Sequence, residues 1–175
     1  MPSNRIKSLP TQRLLRGGLL VLVAYASWLL MMAVHESGHV LNAWLSGGHV
    51  ARVHFGFFEF SETELSQNPH PQFVAWGGPV WGCLIPLAVF ALARGRRANA
   101  RRYLGFFAGL CLIANGAYIG LGWLNAAGDA GTLLREGVPR WLLALVGLPT
   151  LAAGLYLWHR LGPRLGLSLR ASTTK

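Results

Sequence analysis

The sequence predicts an all-α polytopic membrane protein with about four transmembrane helices and a possible small β-hairpin in the first loop. Three observations predict it. The chain of 175 residues is 53% hydrophobic and only 13% charged, poorer in charge than soluble domains are. Its apolar residues gather in long runs rather than at the spacing of amphipathic helices or strands. Its basic residues, which give a formal net charge of +10, lie beside those runs. This composition excludes a disordered chain and a collagen-like fibre. Cys83 and Cys111 both fall inside apolar runs and read as small buried hydrophobes rather than a disulfide framework. A net charge of this size in a soluble protein would suggest nucleic acid. Beside apolar runs it reads as membrane anchoring, and no nucleic-acid partner is expected.

The spans follow in order. A bilayer takes about 20 apolar residues to cross, and four segments reach that length: about 17–46, 73–93, 103–125 and 141–161. The first runs from Gly17 to Val34 without a charge, after a polar, basic stretch over 1–16. A signal peptide would have a shorter apolar core and a small-residue cleavage site, so this segment reads as a retained span. Gly77-Gly78-Pro79 is expected to open the second span, with the proline in the first turn and the glycines allowing close helix packing. Asn115 is a polar residue inside the third span, expected to pack across helices. The whole reads as one membrane domain over 1–175, with basic tails at 1–16 and 162–175.

Charge sets the expected orientation. Arg5, Lys7, Arg13 and Arg16 precede the first span; Arg94, Arg96, Arg97, Arg101 and Arg102 fill the second connection; Arg160, Arg164, Arg170 and Lys175 follow the fourth. Only Arg52, Arg135 and Arg140 fall on the other side. The positive-inside rule then puts both termini in the cytoplasm, and the expected location is a bacterial inner membrane. The tryptophans, Trp44 and Trp141 among them, mostly sit near span ends. Between about Leu45 and Gln72 lies the longest connection. Residues 51–60 have strand-like composition, Glu59, Glu62 and Glu64 make the loop acidic, and Asn68 to Pro71 end it as a turn.

The first span ends in His35-Glu36-Ser37-Gly38-His39. On a helix the i, i+4 spacing puts both imidazoles on one face, one turn apart, within reach of one metal ion. Glu36, beside the first of them, is placed to move a proton from an attacking water. Ionisable groups at the end of an apolar span are costly and usually functional. Catalytic zinc takes three protein ligands, and Asp129, after the third span, is the candidate for the third. Its alternative role is to cap a short helix over 132–137 that Gly137 stops. His35 and Asp129 differ by about 8 residues in distance from their span starts, roughly 12 Å if both spans stay helical. His49, His54, His70, Glu59, Glu62 and Glu64 are the competing ligands.

These residues together resemble the site-2 protease group of intramembrane metalloproteases, the M50 peptidases. The resemblance rests on His35-Glu36-Ser37-Gly38-His39 in a span, Gly78-Pro79 at the start of the next and Asp129 after a third, and it covers about residues 17–137. It implies His35, His39 and Asp129 as zinc ligands and Glu36 as general base. The pattern departs from the family around the third ligand: Asn125 is four residues before Asp129, no proline intervenes, and Ala130 follows. The second connection has no room for the PDZ domain that many members carry. Family members usually hold their site nearer the cytoplasmic side, whereas the charge pattern here puts His35 and His39 toward the outer face. The function expected is that of an intramembrane zinc metalloprotease hydrolysing peptide bonds of a membrane-associated protein, with the 45–72 connection offering a strand edge to an extended substrate. The alternative is a non-catalytic membrane protein keeping the metal site for structure or partner binding. The oligomeric state is not fixed by the sequence.

Overall fold

A computed structural model of the chain describes residues 10–161. The expected basic tails fall largely at 1–9 and 162–175, outside the described residues. In order the elements are α1 (Pro10–Leu45), β1 (His49–His54), β2 (Glu62–Gln67), α2 (Pro71–Leu92), α3 (Ala98–Gly122), α4 (Gly128–Arg135) and α5 (Arg140–Leu161), with one 3-10 turn at Ala93–Gly95. Among the described residues, four helical stretches are long and apolar enough to cross a membrane: Gly17–Leu45, Pro71–Gly95, Ala98–Gly122 and Arg140–Leu161. The expected fold class is therefore the observed one.

Two local expectations are corrected. Gly77-Gly78-Pro79 does not open α2. Pro71 takes the first turn, where its missing N–H costs nothing, and Pro79 lies two turns further in, inside the helix. The hairpin is also shifted. β1 ends at His54, and the aromatic stretch over 55–60 forms the turn rather than a strand. The second strand is the polar run Glu62–Gln67, paired antiparallel with His54 opposite Glu62 and Arg52 opposite Glu64. The register slips on both sides of Val50, which bends β1 locally.

The turn lies back along α1. The Tyr25 hydroxyl donates to the Phe57 carbonyl at 2.7 Å, Phe58 stacks on Tyr25, and Phe60 packs edge-on to Trp28. Tyr25 precedes His35 by ten residues, so the turn follows α1 about 15 Å from the motif toward the helix's N-terminal side.

Of the spanning helices, α3 is the most buried and α1 the least. The helices approach through glycines. A Cβ on Gly116 would meet the Gly147 carbonyl oxygen at 2.9 Å, and one on Gly154 would meet the Gly109 oxygen at 2.8 Å, so α3 and α5 touch backbone to backbone. Gly38 and Gly77 do the same for α1 and α2, each facing the other's carbonyl oxygen. Asn42 fastens this second crossing: its Nδ2 donates to the Phe73 carbonyl at 2.7 Å, and its Oδ1 accepts from Trp81 Nε1 at 3.0 Å. Met31, Met32 and Cys111 form one buried cluster, and Ile119, Leu133 and Leu143 anchor another. Both sheltered cysteines are free.

Candidate metal centre

His35, Glu36 and His39 sit in the last third of α1, held against α2 by the Gly38–Gly77 crossing. Along the helix His35 is about 27 Å from Gly17, near the far boundary of a bilayer core about 30 Å thick. The Nε2 atoms of His35 and His39 lie 3.1 Å apart. Asp129 faces both, with Oδ2 3.1 Å from His35 Nε2 and Oδ1 3.2 Å from His39 Nε2. All three side chains are largely buried.

Asp129 reaches them because α3 ends early. The helix stops at Gly122 instead of continuing toward Asn125, and the chain turns back through Trp123–Ala127, with Ala126 at φ 52° and Gly128 at φ 54°. This reversal removes the depth mismatch that straight helices would leave. Gly128 is required there twice over: its φ is left-handed, and a Cβ would collide with the Tyr118 hydroxyl. The same hydroxyl accepts the Asp129 N–H at 3.3 Å. The capping role does not hold, since Ala127 is the N-cap of α4, without a side-chain cap bond, and Asp129 lies inside the first turn.

Hydrogen bonds fix which ring nitrogens face inward. His39 Nδ1–H donates to the Val74 carbonyl at 2.8 Å, and that oxygen only accepts. Asn115 Nδ2 donates to the Cys111 carbonyl at 2.9 Å, which turns Asn115 Oδ1 toward His35, where it accepts from Nδ1–H at 2.6 Å. In the neutral tautomer that carries its proton on Nδ1, each imidazole turns an Nε2 lone pair toward Asp129. Two lone pairs and a carboxylate thus converge, and Asp129 Oδ2 is a buried oxygen with no hydrogen-bond partner among the described residues.

A divalent cation would satisfy this donor set. Tetrahedral zinc with ligands at about 2.0–2.1 Å spaces its ligand atoms about 3.3 Å apart; the two Nε2 atoms are 3.1 Å apart, and each has a different carboxylate oxygen of Asp129 at 3.1 or 3.2 Å. The backbone leaves the room: a Cβ on Gly78 would sit 2.6 Å from His35 Nε2 and nearer still to His39 Nε2, in the space a metal ion would take. Donation of each Nδ1–H to an oxygen is the outer-shell arrangement that orients metal-binding imidazoles. Among the described residues, this is the one group of three or more His, Cys, Asp or Glu side chains close enough to share an ion.

The competing candidates lie elsewhere. His49 and His54 are on β1, Glu62 and Glu64 on β2, Glu59 in the turn and His70 ahead of α2. Glu64 is engaged by Arg52 at 2.7 Å. Glu36, buried at 3% exposure, is held by β2: the Thr63 hydroxyl donates to its Oε2 at 2.6 Å. It also lines a groove of about 370 Å³ between α1 and the hairpin, whose walls include Val40, Leu41, Trp44, Val53 and Phe55. Tyr118 packs edge-on against His35 and stacks on Phe60, so the hairpin turn and the histidine share one aromatic neighbour.

Sequence reasoning missed Thr63 and Tyr118 as parts of this site, and it read Gly78, chiefly, and Asn115 as packing residues. Asn115 carried a signal, because a polar residue inside a span usually has a function. Thr63 in a polar loop carried none. Compared with known proteins, the chain matches no family model, no curated protein sequence and no solved structure.

Proposed function

We propose that this chain is a multi-pass membrane metallohydrolase that cleaves peptide bonds of membrane-associated proteins, with zinc held by His35, His39 and Asp129. The likeness to site-2 proteases belongs to this reading. The observation that carries it is the convergence of two Nε2 lone pairs and one carboxylate around the space that Gly78 leaves open.

When bound, zinc supplies Lewis acidity that polarises a scissile carbonyl and acidifies water. The chain's own residues do the rest. Glu36 takes the proton of the attacking water and returns it to the departing amine. Thr63 holds one carboxylate oxygen of Glu36, leaving the other for proton transfer. Asn115 and the Val74 carbonyl keep both imidazoles turned inward. An extended substrate segment lies in the apolar groove between α1 and β1, where a two-stranded sheet leaves each strand one unpaired edge for main-chain hydrogen bonds.

The test uses detergent-purified protein loaded with zinc and a quenched-fluorescent peptide carrying one apolar span. The wild type should cleave it. Glu36→Gln should lower the rate by about 10²–10⁴-fold with zinc content unchanged. Equal cleavage by Glu36→Gln contradicts the role given to Glu36. Full zinc occupancy with no cleavage of any spanning peptide favours the non-catalytic alternative.

A further inference from the structure

The other end of the bundle carries charge that the metal centre does not use. Arg94, Arg96 and Arg97 lie on the connection from α2 to α3, and Arg101 and Arg102 follow near the start of α3. The six acidic residues of the chain are Glu36, Glu59, Glu62, Glu64, Asp129 and Glu136, all on or near the elements around the metal centre. No carboxylate side chain of this protein therefore falls in the sequence near these arginines. Among the described residues, the one arginine–carboxylate ion pair is Arg52 with Glu64, at the hairpin.

Between α2, α3 and α5 at this end is a cavity of about 270 Å³, lined by Phe90, Ala98, Arg101, Arg102 and Leu161. Its two halves differ in chemistry. Arg101 lays its guanidinium over the Phe90 ring, 5.4 Å from the centroid, which holds the cation in place while leaving its N–H groups free to donate. Among the described residues Arg102 has one long contact, 3.4 Å to Asn99 Oδ1. The other half is apolar. Gly105 lets Phe90 and Leu161 close over it, since a Cβ there would meet Leu161 Cδ1 at 2.7 Å and Phe90 Cε2 at 2.8 Å. Val89, Leu92 and Tyr103 expose apolar surface nearby on the same helices. A cationic rim over an apolar floor, at the level where a span meets headgroups, matches a phosphodiester with acyl chains attached. A free phosphate would leave Phe90 and Leu161 facing nothing.

We propose that this cavity binds one anionic glycerophospholipid, its phosphate between Arg101 and Arg102 and its first acyl carbons against Phe90 and Leu161. The proposal rests on the four apolar helices crossing a bilayer and is independent of the metal centre. Basic pockets between spanning helices recognise lipid headgroups by this combination of charge and apolar wall.

Native mass spectrometry of the full chain, released from a neutral detergent, tests it by titration with phosphatidylglycerol, phosphatidylcholine or inorganic phosphate. One phosphatidylglycerol per chain should bind, at least about tenfold more tightly than phosphatidylcholine. Arg101→Gln with Arg102→Gln should remove that preference. Ala98→Trp, at an exposed position of the cavity wall, should weaken binding as much with every charge retained, which separates a shaped site from diffuse attraction and does not depend on the double variant folding. Arg94→Gln with Arg96→Gln, on the same connection but outside the cavity, should bind like the wild type. Equal binding of both lipids, unchanged binding by Ala98→Trp, or displacement of phosphatidylglycerol by millimolar phosphate would each overturn the proposal.

Discussion

Alanine at position 78 puts a methyl group against both Nε2 atoms, in the space a cation would take. Gly78→Ala is expected to drop bound zinc from about one per chain to near zero while helical content stays at the wild-type level. Metal analysis beside circular dichroism checks both halves, and full zinc occupancy would refute the cradle. Asn115 acts at one remove. If it orients His35, Asn115→Ala should weaken zinc binding by about 10–100-fold, read by competition with a chromogenic chelator. A residue that only packs would lower thermal stability and leave that affinity alone. His35, Glu36 and His39 were legible in the sequence because their relation is local: i, i+4 on a helix fixes a shared face whatever the tertiary fold does. Asn115 as a partner was not, because its role depends on which of α3's faces meets α1.

The elements carry the geometry that single residues cannot. The α3–α4 reversal brings Asp129 level with the histidines, and it hinges on Ala126 with a left-handed φ, a conformation that alanine does not advertise. The order of spans pointed to Asp129 as a candidate, but its depth was unreadable for that reason. The hairpin was readable as a hairpin, yet its second strand was not: in Glu62–Gln67 the covered positions are Thr63 and Leu65, so only one apolar residue marks the alternation of a half-buried strand. That strand matters to the proposed chemistry through Thr63. Thr63→Val, which keeps the shape and removes the hydroxyl, should lower the peptide-cleavage rate about tenfold with zinc content unchanged, the scale of one hydrogen bond to a charged group. A rate equal to that of the wild type would separate the hairpin from Glu36. The α3–α5 contact is backbone to backbone at Gly147, so Gly147→Leu forces the helices apart and should destabilise the bundle by about 1–3 kcal/mol or more, seen as a lower unfolding temperature in detergent.

The assembled molecule divides its labour between two ends. Acidic residues and most of the histidines gather where α1, α4 and the hairpin meet, and most of the arginines gather where α2 ends, α3 begins and α5 ends. The apolar runs made the four-helix plan legible from composition alone, since only helices satisfy their backbone within a bilayer without closing a barrel. Metal binding should reach the stability of the whole, because the ligands join α1 to the turn after α3. A ligand at 100 times its Kd adds about 2.7 kcal/mol to the bound fold. Chelation should therefore lower the unfolding temperature of the wild type and leave Asp129→Ala where it was. Acidification should act in the same direction, as protons compete for the three ligand atoms.

Zinc content per chain, measured on the detergent-purified wild type beside His39→Ala and Asp129→Ala, tests the three-ligand centre most directly. The expected result is about one zinc in the wild type, lost in both variants while each stays folded. A folded wild type that binds no zinc, or an Asp129→Ala variant that keeps it, would contradict the site described here.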